Sequence, residues 1–199
     1  LILGIVVSSA LSLLPHQVEA ANTAQNKKSH YAAKGRAASI NRKNDVGDLW
    51  TRVRRGFSIP ELDGHEVRQN ENSYTRHQKF IDHIVEQSQR YLFHIVEEVE
   101  RRKMPTEIAL LPIIESAFNP TAYSHRHASG LWQFIPSTGR AYGLEQNWWH
   151  DDRRDVIAAT NAALDYLQKL YRMFGDWKLA VAAYNWGEGA LKRSIDETH

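Results

Sequence analysis

An all-α fold is what this sequence predicts, on three observations. From Asp45 onward apolar residues recur at helical spacing, no stretch alternates apolar and polar residues over the length of a strand, and the periodic runs break at proline, glycine or a capping aspartate. The 199 residues, 42% of them hydrophobic, are enough for one main core plus an extension. A net charge of +2 is too small to indicate nucleic acid as a partner. Cysteine is absent, which excludes disulfides, thiolate metal ligands, a cysteine nucleophile and lipid attachment through an N-terminal cysteine.

In chain order, Leu1 to Leu14 is almost wholly apolar and is followed by Pro15 and by Val18-Glu19-Ala20-Ala21, where small residues suit cleavage after Ala20. Residues 1–20 therefore read as an export signal, without an initiator Met or a basic start, and as one that begins upstream. A retained membrane anchor stays open, because the apolar run could continue before Leu1 toward the ~20 residues that a span needs. Export without cysteine fits a bacterial periplasm or cell envelope. Residues 21–44 are small and polar and read as a flexible linker. Basic residues gather from Lys27 to Arg55, as a solvated tether or as an attraction to an anionic surface.

Residues 45–104 form an N-terminal helical region. Leu49, Trp50, Val53 and Phe57 give a short amphipathic helix that stops at Ile59-Pro60, and a second helical stretch runs from about Ser73 to Lys103 with one break near Ser88. Its expected buried positions are Phe80, Ile84, Tyr91, Ile95 and Val99. Residues 105–199 follow as the main domain. Pro105 suits a first helical position, Pro112 should bend that helix, and Asn119-Pro120 should end it. A loop over 121–130 leads to a short helix between Pro136 and Gly143. Asp152 and Asp155 frame the next start, whose inner stripe is Val156, Ala159, Ala163, Leu167, Leu170 and Phe174 before Gly175; the last clear helix runs from Asp176 to Gly187.

One residue conflicts with its setting. In "LLPIIESAFNP" Glu115 has Leu111 four residues before it and Phe118 three after, near a helix C-terminus. Hydrocarbon and the negative end of the helix dipole both oppose ionisation, so Glu115 is a candidate acid that keeps its proton at neutral pH, which cleavage of a glycosidic bond requires. The plainer reading is a buried glutamate tied to an arginine or to backbone amides. Between Ser116 and Leu144 there is no further Asp or Glu, while Ser124, Gln133, Ser137 and Thr138 stand beside Tyr123 and Trp132: neutral hydrogen-bonding groups with aromatic faces, which suit a sugar. A paired-acid glycosidase needs a second carboxylate, and Asp151, Asp152, Asp155, Asp176 or Glu188 could approach in the fold.

"ESAFNP", nine residues from Glu115 to Ser124, "SGLWQFIPSTGRAYGL" and "AAYNWGEG" together resemble the catalytic signature of soluble-type lytic transglycosylase (SLT) domains, in particular the membrane-bound lytic murein transglycosylase D branch. The likeness runs from about Asp48 to the end. It implies a lysozyme-like catalytic domain behind a helical extension, with peptidoglycan glycan strands as the partner and no metal or organic cofactor. Glu115 would be the sole acid and base, protonating the MurNAc-β-1,4-GlcNAc oxygen and taking the proton of the muramyl C6 hydroxyl as that oxygen closes a 1,6-anhydro ring. Ser124 and Gln133 would hydrogen-bond the sugars, Gly130 would let backbone approach the glycan, and Trp132 would be a cleft wall. Tyr184 and Asn185 would point polar ends into the cleft, with the tyrosine near the catalytic carboxyl.

The alternatives are a hydrolase similar to goose-type lysozyme, and a glycan-binding module with a decayed site. Members of the branch often carry a lipidated cysteine, which this sequence lacks, and continue into further helices and LysM repeats, so the domain is expected to be cut short at its C-terminus. Membrane association and oligomeric state are left open. His125 and His127 are expected to be a solvated pair, not a metal site. "HEVR" at 65–68 is not a zinc-protease helix, and Trp148 and Trp149 are expected to pack, with lining of the sugar cleft as the alternative.

Overall fold

A computed structural model of the protein describes residues 42–60 and 78–197, with no side-chain account of 42–48 and 78. The expected export signal, nearly all of the linker and the "HEVR" segment lie outside the described residues. Eight α-helices and two 3-10 turns are described: α1 Arg42–Arg55, α2 Gln78–Ser88, α3 Leu92–Arg101, a 3-10 turn Thr106–Leu110, α4 Leu111–Ser116, α5 Pro136–Ala141, a 3-10 turn Asp152–Arg154, α6 Val156–Phe174, α7 Trp177–Trp186 and α8 Glu188–Asp196. Among the described residues β-pairing is confined to isolated bridges, Tyr123 with Ser129, Ser129 with Phe134 and Gln146 with Asp151. The all-α expectation holds, and no described helix is long and apolar enough to cross a membrane.

The boundaries follow from capping chemistry. Asp155 accepts from the Ala158 amide to start α6, and Gly175, at φ 70°, ends it in the left-handed conformation that glycine adopts freely. Asp176 does the same for α7 through the Leu179 amide. The expected break near Ser88 falls at 89–91, between α2 and α3. Helix α1 begins at Arg42, three residues inside the expected linker.

Three expectations are corrected. Phe80 is 38% exposed because the inner face of α2 is set by Ile81, Ile84 and Ser88, which leaves Phe80 at its edge. Phe57 is likewise exposed, past the end of α1. The single bent helix over 105–118 is a 3-10 turn followed by a separate short helix: Pro105 is the residue before the turn, and Pro112, which lacks an N–H to reach back, lies in the first turn of α4.

One core joins the N-terminal helices to the rest. Trp50 and Val53 of α1 share a buried cluster with Ile95 and Val99 of α3, Ile108, Leu111, and Leu164 and Leu167 of α6. Polar contacts fix the junction. Thr106 Oγ1 donates to the Val53 carbonyl, and Glu107 Oε1 accepts from the Ser58 and Ile59 amides at 2.8 Å each. A Cβ on Gly56 would stand 2.5 Å from the Thr106 side chain, so only glycine allows this approach. Glu107 is a second buried acid that sequence reasoning passed over; burial raises its pKa, and its carboxyl holds a turn.

Candidate active site

Helix α4 has six residues, and tertiary contacts hold it in place of length. Leu111, Pro112 and Ile113 are buried, and the Ser116 hydroxyl donates to the Leu131 carbonyl at 2.9 Å, tying the helix to the loop that follows. The helix ends on two consecutive left-handed residues, Ala117 at φ 50° and Phe118 at φ 59°. Neither is glycine, so each is strained by about 1–2 kcal/mol. The buried Phe118 ring, fully enclosed, offsets that strain and turns the chain sharply away, leaving Glu115 at the lip of the core.

Burial raises the Glu115 carboxyl from the ordinary 4.5 to about 7, and a hydrogen bond from Asn185 opposes the rise. Its Oε1 is buried and has no hydrogen-bond partner among the described residues. Neither cause is a charge, and the five acids that might have formed a pair are occupied elsewhere. Asp151 pairs with Arg153, Asp152 with His150 and Glu188 with Lys169, while Asp155 and Asp176 cap helices. The plainer reading, a glutamate tied to an arginine or to backbone amides, finds no such partner among the described residues. An orphaned oxygen in low dielectric favours the protonated form, which has an O–H to donate.

Tyr184 and Asn185 arrive at the end of α7, held against α6. Tyr184 packs edge-on to Phe134 and against Tyr166, which itself meets Tyr142, so a row of aromatic rings underlies the site. The Tyr184 hydroxyl donates to the Trp132 carbonyl at 2.8 Å. Burial, and then the nearby charge of Glu115, push its phenol well above the usual tyrosine range. The Tyr184 phenol feels the charge of Glu115, but its own proton is spent on backbone. The Asn185 amide, which donates to the Val181 carbonyl at 3.4 Å, is the polar group that favours ionised Glu115.

Two expected sugar contacts are corrected. Trp132 is 0% exposed, with its indole N–H donated to Thr160 Oγ1 at 3.0 Å, so its ring is core and only its carbonyl reaches the site's framework. Gly130 is buried at φ 81°, and a Cβ there would fall 1.7 Å from the Arg153 carbonyl. The close approach that demands glycine is to this chain's own backbone. Ser124 and Gln133 remain half-buried in the loop. Ser124 Oγ accepts from the Ala128 amide, which leaves its hydrogen to donate, and Gln133, at φ 49°, donates to the Gly130 carbonyl at 2.8 Å, which leaves its oxygen to accept.

Sequence reasoning missed Arg153. Its guanidinium, in a fork with Asp151 at 2.8 Å, donates to the carbonyls of His127 at 2.7 Å and Phe134 at 3.0 Å, clamping both ends of the loop that carries Gln133. An Asp-x-Arg pair gives no sign in sequence of which distant carbonyls it will hold. Tyr123 is exposed, its hydroxyl 2.6 Å from His127 Nδ1. Trp186, directly after Asn185, is 54% exposed and was not singled out. Trp148 and Trp149 do not pack into the core: they are 79% and 77% exposed.

The sequence is similar to known transglycosylases. The family model described as the transglycosylase SLT domain matches residues 94–199. The chain is 46% identical over 152 residues to the membrane-bound lytic murein transglycosylase D of Escherichia coli (strain K12), covering 75% of this chain and 33% of that protein, with the same figures for the protein of that name from E. coli O6:H1. It is 43% identical over 79 residues to the peptidoglycan transglycosylase gp16 of Escherichia phage T7, covering 39% of this chain and 6% of that one. The chain thus spans about a third of the length of the murein transglycosylases that it matches. The family match covers more than half of the chain, includes Glu115, Ser124, Gln133, Tyr184 and Asn185, and lies on an all-helical core: the chain belongs to the transglycosylase SLT domain family.

Proposed function

We propose that this chain is the catalytic part of a peptidoglycan lytic transglycosylase, an exported enzyme of the cell envelope that cuts the MurNAc-β-1,4-GlcNAc bond and leaves a 1,6-anhydromuramyl end during cell-wall remodelling. One observation carries this reading: Glu115 is a solitary, desolvated carboxyl with a pKa of about 7 and an unpartnered buried oxygen. Family membership and the names of the relatives support it.

The proton traffic needs only that group. Protonated Glu115 gives its hydrogen to the O4 of the departing GlcNAc as the C1–O4 bond breaks, and the carboxylate formed takes the hydrogen of the muramyl C6 hydroxyl as O6 bonds to C1. Glu115 ends protonated and no water is consumed. A pKa close to neutrality suits both halves of this exchange, since the group must donate and accept with similar ease. The C6 hydroxyl is tethered to the sugar it attacks, which replaces the second carboxylate with proximity. Asn185 favours the charged form midway, and Ser124 and Gln133 offer a donor and an acceptor to the flanking sugars.

Mass spectrometry of products from purified murein tests the reading. Anhydromuramyl ends, absent with Glu115→Gln, are expected. Reducing ends would assign a hydrolase similar to goose-type lysozyme, and cleavage surviving the exchange would remove Glu115 from the reaction.

A further inference from the structure

The proton transfer at Glu115 makes no use of the aromatic pair Trp148 and Trp149. Both are more than three-quarters exposed, and their rings lie against each other at 33°. The turn that carries them is tightly made. Asn147 Oδ1 accepts from the amides of Trp149 at 2.9 Å and His150 at 2.8 Å, and the Asn147 amide donates to the His150 carbonyl at 2.8 Å. Gln146 Nε2 donates to the Pro136 and Leu144 carbonyls, and the Glu145 amide donates to Asp152 Oδ2. Two of the largest apolar side chains are thus held in water by a rigid support, an arrangement that marks an interaction surface.

We propose that Trp148 and Trp149 form a second glycan contact outside the catalytic cleft, holding a peptidoglycan strand by stacking sugar rings on the outer indole faces. The proposal rests on the reading of the chain as a murein-cleaving domain, which supplies a polymeric glycan as the occupant. The surroundings favour a glycan over a lipid surface. Residues 145–150 contain no lysine or arginine, and of the two arginines that follow, Arg153 is buried against Asp151 and Arg154 is bonded to Ser129, so the turn has little to attract anionic lipid. Asn147 and His150 flank the pair in sequence, polar neighbours that suit a hydroxyl-bearing ligand.

The mechanical link to the cleft is direct. Arg153 grips the base of this turn through Asp151 and, with the same guanidinium, the carbonyls of His127 and Phe134 that frame the catalytic loop. A strand caught by the tryptophans is thus held on a turn fixed to the loop that carries Gln133, and a second contact on one polymer raises the local concentration of bonds to cut.

The test is sedimentation of the protein with purified insoluble murein. Glu115→Gln protein, which is expected to bind without cutting, is compared with the same protein also carrying Trp148→Ala and Trp149→Ala; thermal melts of both establish that the surface changes leave the fold intact. Binding to murein is expected to weaken on the order of tenfold, and in the cleaving protein the loss of rate should be several-fold larger on murein than on a soluble tetrasaccharide. Equal binding to murein overturns the proposal. So does a pair of tryptophans needed for binding phosphatidylglycerol vesicles or for self-association but not for murein. If the unsubstituted protein cuts nothing, the cleavage reading fails, while the murein-binding comparison still decides this one.

Discussion

Replacing Glu115 with glutamine keeps the shape of the side chain and removes its charge, and the structure fixes both the sign and the size of the effect on stability. In the folded chain the carboxyl titrates at about 7, against an ordinary 4.5 in the unfolded chain. Below pH 4.5 both states hold the proton and burial of the group is tolerated. Between 4.5 and about 7 the unfolded state releases it first, so stability falls as pH rises, and above pH ~8 the loss is complete. At 1.36 kcal/mol per pH unit the full loss is about 3 kcal/mol. Glutamine escapes this loss. The variant should therefore match the parent near pH 4 and exceed it by up to about 3 kcal/mol at pH 8, in urea unfolding followed by circular dichroism, while losing activity at both. Other titrating groups cancel in the difference. A difference that stays flat with pH, or that favours the parent at pH 8, would mean that the carboxylate has a stabilising partner, and the argument from a desolvated acid would fail.

Three further outcomes follow from the same geometry. Asn185→Leu removes the hydrogen bond that favours ionised Glu115, so the fall in rate on the alkaline side should move to higher pH, by up to about one unit for a bond to a charged group at an exposed position; a pH–rate profile reads it. Gly130→Ala drives a methyl group into the Arg153 carbonyl and keeps a positive φ, and should destabilise by about 3 kcal/mol or more in thermal melts. Arg153→Met strands the His127 and Phe134 carbonyls and leaves Asp151 without its cation, which should cost about 3–5 kcal/mol in urea unfolding.

Where a local rule decides the structure, the sequence was readable. Asp155, Gly175 and Asp176 mark helix ends through caps a few residues long, and the break after Ser88 and the solitary acid of α4 needed only spacing and neighbours. What escaped depends on distant partners. Gly130 was expected to face the glycan, yet the atom it makes room for belongs to Arg153, 23 residues on. Trp132 was expected to wall the cleft, as the resemblance implied, but Thr160 gives its N–H a partner inside the core. The left-handed Ala117, Phe118 and Gln133 carry no sequence mark at all, since only the packing around them holds those residue types at positive φ. The same limit applied to the tryptophans: composition could not divide them, whereas the structure buries Trp50 and Trp132 and exposes Trp148, Trp149 and Trp186.

The most direct check of the central claim is the ionisation of Glu115 itself, followed by carbon-13 NMR of glutamate-labelled protein, with Glu115→Gln used to assign the resonance. The carboxyl should titrate with a midpoint near 7. A midpoint near the ordinary 4.5 would leave the site without a proton to give at neutral pH and would contradict the account.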